Sequence, residues 1–91
     1  MTLEKSRQAI DLIDKTLISL LEERMTLVSQ VVAYKKSHNM PVLDQQREED
    51  VLKKVTQEIK NDLYQEAIVA TFKDIMFHSK KFQEERLRDD Y

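Results

Sequence analysis

From Leu3 to about Lys36, apolar residues recur at helical spacing, with no Pro and no run of turn residues between them. With Leu3 at heptad position a, Leu3, Ile10, Leu17, Arg24 and Val31 fall at a, and Ile13, Leu20, Leu27 and Tyr34 at d. Arg24 is the one charge among these. The adjoining e stripe, Arg7, Asp14, Leu21, Val28 and Lys35, widens the apolar face at its centre and is charged at its ends. Thr2 is the expected N-cap; Glu4 in the first turn and Lys35, Lys36 and His38 near the last suit the helix dipole. Asn39 can take a left-handed cap and Pro41 disfavours helix at Met40, so the segment from Ser37 to Leu43 ends the helix. Asp44 then reads as the N-cap of a second helix, with Glu48, Leu52, Val55 and Ile59 on one face and Arg47 and Val51 beside it. A break at Asn61-Asp62 precedes a third helix, for which Asp62 and Gln65 form a capping-box pattern. Its inner face is Ile68, Phe72, Ile75, Met76, Ser79, Phe82 and Gln83, and the charged tail from Glu84 to Tyr91 is expected to fray.

This pattern predicts an all-α fold of three helices in a single domain, residues 1–91, with no repeat or linker. A first helix of ~34 residues would be ~50 Å long, whereas a compact globule of this size is roughly 32 Å across. The two shorter helices cannot cover its whole apolar face. The remainder is expected to bury against a second copy related by a twofold axis, giving an intertwined homodimeric helical bundle.

Composition narrows the chemistry. The 91 residues include no Gly, Cys or Trp, one Pro and two His. Without Gly there is no phosphate-binding loop or dinucleotide fingerprint, and without Cys no thiolate metal site or disulfide. Two His do not supply a usual transition-metal ligand set, so no metal site is expected. The net charge of −2 lacks the basic excess of a nucleic-acid binder. No apolar run approaches the ~18 residues of a membrane span and the N-terminus has no secretory stretch, so a cytoplasmic protein is expected.

Several polar residues fall where a core should be. Taken alone, Arg24 reads as a register-setting or snorkelling residue, and Ser79 and Gln83 as satisfied core polars. Taken together they suggest more. Lys35 is 11 residues beyond Arg24, about 20° past three full turns, so the two face one side ~16 Å apart and could clamp a small dianion. Arg7 is ~25 Å from Arg24 and about 100° off in rotation, so it can join such a site only from an antiparallel partner chain. Glu48, with Arg47 beside it, lies one turn before Leu52 on the second helix. Cations, a carboxylate, an amide and a hydroxyl converging on one core suggest a small polar-anionic ligand. No nucleophile with a positioned base is evident, nor a pair of inward carboxylates. Electrostatic stabilisation by fixed donors is the catalytic mode left open.

The ordered set Arg7-x-x-Ile10-x-x-x-Asp14, Leu20-Leu21-Glu22-Glu23-Arg24, Lys35, Pro41-Val42-x-Asp44-x-x-Arg47-Glu48 and Ser79-x-x-x-Gln83 resembles the all-helical (type II) chorismate mutases over nearly the whole chain. The resemblance implies a three-helix, intertwined homodimer that rearranges chorismate to prephenate without cofactor or covalent intermediate. It implies that Arg24 and the partner subunit's Arg7 hold the two substrate carboxylates, with Ser79 assisting. Lys35 and Gln83 would flank the ether oxygen. Glu48 would bind the ring hydroxyl together with the backbone at Asp44, and Arg47 would support Glu48 and line the site. As a neutral amide, Gln83 is expected to spare the reaction the acidic-pH requirement of a protonated Glu.

Three positions depart from the family pattern. Leu43 stands where some relatives carry Arg, which puts an extra anion contact in question; Val32 stands where a relative has Gly; Lys80 stands where an apolar residue can follow the site Ser. The last two are expected to change helix packing or the pocket rim. With no further domain attached, the chain reads as a stand-alone mutase of aromatic amino acid biosynthesis. The alternatives are an isochorismate-pyruvate lyase of the same fold and a non-catalytic helical dimerisation module.

Overall fold

A computed structural model of the chain describes residues 2–88. They form α1 (Leu3–Ser37), α2 (Gln45–Glu58) and α3 (Gln65–Arg88), with one 3-10 turn, Asp62–Tyr64, before α3. No strand occurs among the described residues. The caps explain most of the boundaries. Thr2 Oγ1 accepts from the Lys5 amide at 3.1 Å, and Asp44 Oδ1 from the Arg47 amide at 3.0 Å, so each side chain satisfies an amide that the helix cannot. At the end of α1 the Met40 amide reaches the Lys35 carbonyl and the Asn39 amide that of Lys36, with Asn39 at φ 54°. This is a Schellman motif with Asn in the position usually given to Gly.

Two expectations need correction. The cap before α3 is Asn61, not Asp62: Asn61 Oδ1 accepts from the Leu63 amide at 3.0 Å and opens the 3-10 turn, which delays the α-helix to Gln65. The stretch from Glu84 to Arg88 is helical rather than frayed, because Leu87 is half-buried and the Arg86 guanidinium lies 4.9 Å from the Phe82 ring centre one turn back. Asp89, Asp90 and Tyr91, the rest of the tail expected to fray, lie outside the described residues.

α3 is the central element. α1 packs on it and α2 packs on it, while α1 and α2 do not pack on each other. The stripe that α1 turns inward is Leu21, Met25, Val28 and Val32, of which Val32 is buried and the others half-buried. Large a and d residues, Ile10, Ile13, Leu17, Leu20, Leu27, Val31 and Tyr34, are all exposed. The heptad seam is therefore not the chain's own core. Residues of α2 and α3 also leave a cleft of about 610 Å³ uncovered, bordered by Val51, Val55, Ile59, Tyr64, Ile68 and Phe72.

The shape follows from the long helix. The described chain measures 53 × 25 × 14 Å with a radius of gyration of 16.3 Å, against ~12 Å for a compact globule of this length. Residues 3–20 of α1 carry no buried side chain. No helix among the described residues is long and apolar enough to cross a membrane.

Candidate functional site

The polar residues singled out in the sequence, Arg7 excepted, line one cavity of about 170 Å³ between the three helices. α1 supplies Arg24, Val28, Val31 and Lys35; the segment joining α1 to α2 supplies Val42 and Asp44. α2 contributes Arg47, Glu48 and Val51, and α3 contributes Met76, Ser79, Lys80 and Gln83. The cleft between α2 and α3 is larger and its surface is mainly apolar, with Arg47, Lys54, Glu58, Lys60 and Asn61 among its lining but no residue of α1. The smaller cavity concentrates the chemistry. Four cations face two carboxylates there, which favours an anionic ligand.

At one wall, Arg24 Nη1 donates to Ser79 Oγ at 2.7 Å. Ser79 is only 5% exposed, and its hydroxyl donates in turn to the Ile75 carbonyl at 2.8 Å. Ser79 thereby fixes the guanidinium while using a single donor, and the remaining Arg24 N–H groups bond no described residue. A planar fork held in this way suits a carboxylate.

Lys35 is clamped between two acceptors: Nζ donates to the Val42 carbonyl at 2.9 Å and to Gln83 Oε1 at 3.2 Å. An ammonium has donors and no acceptor, so the Gln83 amide must turn its oxygen toward Lys35. Its NH2 group is then left to donate elsewhere. The third Lys35 N–H and the Gln83 amide are two donors placed side by side, an arrangement that can stabilise charge building on an oxygen between them.

Glu48 accepts from Lys80 Nζ at 3.2 Å, an ion pair with each side chain 30% exposed. Arg47, the residue expected to support Glu48, lines the cavity but makes no side-chain hydrogen bond or ion pair with a described residue. Lys80, expected only to change helix packing or the pocket rim, lines the cavity and pairs with Glu48, a role that pattern reasoning did not assign it. Asp44 lies on the rim as an exposed helix cap. Arg7 is exposed on the N-terminal half of α1 and does not line the cavity of its own chain, as its rotational offset requires. Among the described residues no group of His, Asp or Glu is arranged to hold a metal ion.

The described chain is all-helical, and its three helices turn two guanidinium groups, two ammonium groups and a pre-oriented amide toward one cleft. The family comparison is more specific. Residues 6–84 match the family model described as chorismate mutase type II, and the chain belongs to that family. No solved structure is a significant match.

Proposed function

We propose that the chain is a chorismate mutase, an isomerase that rearranges chorismate to prephenate in a site completed by a second copy. The substrate is a dianion. As its C–O bond breaks and a C–C bond forms, no proton has to move and no group leaves, so the protein's task is to hold one conformation and stabilise the charge growing on the ether oxygen. Lys35 and Gln83 donate to that oxygen. Arg24, braced by Ser79, takes one carboxylate and the partner subunit's Arg7 the other. Glu48 accepts from the ring hydroxyl, aided by the backbone at Asp44, and Arg47 lines the wall and is free to turn toward the ligand.

The observation that carries this reading is the Lys35–Gln83 contact inside a cation-rich cleft. It produces paired donors with no nucleophile beside them, which fits a pericyclic step better than hydrolysis or group transfer. Two observations support the second copy. A cavity of about 170 Å³ is below the ~300 Å³ at which small-ligand sites begin, so one chain supplies only part of the wall. The apolar seam of α1 and the open cleft between α2 and α3 are two uncovered surfaces that a twofold pairing would bury together. In this reading residues 1–91 act as one domain in the cytoplasm, in aromatic amino acid biosynthesis.

Loss of chorismate absorbance with formation of prephenate, in metal-free buffer, is the expected result with purified protein. Isochorismate is offered in parallel. Salicylate and pyruvate from isochorismate, without prephenate from chorismate, would reverse the assignment to a lyase.

A further inference from the structure

Glu48 uses one oxygen for Lys80, while its Oε2 accepts no hydrogen bond from any described residue. The pair lies on facing helices, 32 residues apart, at the wall of the cavity. Facing the same space are Arg24, Lys35 and Arg47 as further cations and Asp44 as the other carboxylate. Of the four cations at the cavity, Lys80 is the one whose side chain pairs with Glu48. A carboxylate tethered at one oxygen and open at the other presents a fixed acceptor to a ligand hydroxyl.

We propose that Lys80 is a positioning residue of this pocket, acting through Glu48: it tethers Oε1 so that Oε2 faces the ring hydroxyl of the substrate. The role rests on the mutase reading above. It carries two consequences. Without Lys80 the Glu48 side chain is untethered and free to swing toward Arg47, which takes the fixed acceptor away from the ring hydroxyl. Because the hydroxyl keeps its place throughout the rearrangement, its contact with Glu48 is made equally in the ground and transition states, so its loss falls on KM rather than on kcat.

The test compares Lys80→Met, Lys80→Arg, Glu48→Gln and the Lys80→Met/Glu48→Gln double variant, with Lys81→Met as a control that removes one exposed charge from the same helix. Lys80→Met is expected to raise KM about tenfold with kcat nearly unchanged, the size of effect expected for losing a charge-assisted contact. The double variant should cost no more than Glu48→Gln alone, within about twofold. Lys80→Arg should recover most of the loss, and Lys81→Met should match the wild type. Additive losses in the double variant, an unchanged KM in Lys80→Met, or a fall in kcat alone would overturn the proposal. Thermal unfolding of the same set separates the two readings. Non-additive shifts in Tm report the Glu48–Lys80 pair whether or not the protein turns over chorismate; an inactive wild type with a coupled pair removes the mutase reading, and an uncoupled pair removes the role of Lys80.

Discussion

The two halves of α1 carry the same kind of sequence and meet different fates. From Leu21 to Ser37, one stripe packs on α3 and the polar residues Arg24 and Lys35 find partners 55 and 48 residues away. Between Leu3 and Leu20, Leu3, Ile10, Leu12, Ile13, Leu17, Ile18 and Leu20 are all exposed. Helix propensity and capping do not distinguish the halves. What differs is whether the chain itself provides a surface to bury against, and burial rather than propensity supplies most helix stability in proteins. The N-terminal half thus leaves its apolar residues uncovered, where the proposed second copy would pack, and the C-terminal half carries the α1 residues that line the cavity.

The sharpest test alters only the C-terminal half. Lys35→Ala is expected to lower kcat by roughly 100- to 1,000-fold, as for loss of one oxyanion donor, while sedimentation still shows a dimer. Retained prephenate formation would break the assignment of Lys35. Separately, Arg7→Ala and Arg24→Ala should each lose most activity, because each removes a carboxylate contact from opposite halves of the helix. Refolded together in equal amounts, the two inactive variants should recover about a quarter of wild-type activity, since half of the dimers are mixed and each mixed dimer has one intact site. No recovery on mixing would show that Arg7 does not act across an interface.

Leu17→Asp tests the N-terminal half alone. An unpaired carboxylate placed in an apolar seam should weaken self-association by ~100-fold or more, read by sedimentation over a concentration series. Helical circular dichroism from the C-terminal half should persist longer than activity on dilution. Val32→Ala removes two methyl groups from the buried contact with α3 and is expected to lower stability by about 1 to 2 kcal/mol in denaturant unfolding, with the dimer intact. Asn39→Ala, which places an ordinary side chain at positive φ, should cost about 1 kcal/mol by the same measurement and leave KM nearly unchanged.

Much of this arrangement was legible because its causes are local. Thr2, Asn39 and Asp44 mark helix ends through bonds to amides or carbonyls only a few residues away, and such signals survive in a bare sequence. The start of α3 was misplaced because Asn61 and Asp62 are adjacent and both can cap; the choice of Asn61 is settled by the 3-10 turn that follows. Which stripe of α1 faces α3 was less legible. Two apolar stripes run side by side on that helix, and periodicity does not say which belongs to the chain's own core. Arg24, Lys35, Glu48, Ser79 and Gln83 were found as polar interruptions of apolar faces. Lys80 sits one position, and so about 100°, off the stripe that holds Ser79, and its partner is 32 residues distant. Its long stem carries the charge back to the cavity wall, a reach that face-by-face reading does not capture.

The unbroken course of α1 through both halves has a consequence for how the molecule can change. In the proposed dimer, assembly and chemistry would ride on one rigid shaft and be locked in phase. One residue inserted between Leu20 and Leu21 would turn Arg7 by about 100° relative to Arg24 and Lys35 and shift it by ~1.5 Å, whereas seven inserted residues would return it to within about 20° at the expense of a ~10 Å displacement. In the proposed dimer the interval from Arg7 to Lys35 would therefore act as a fixed gauge, one that tolerates no change of length.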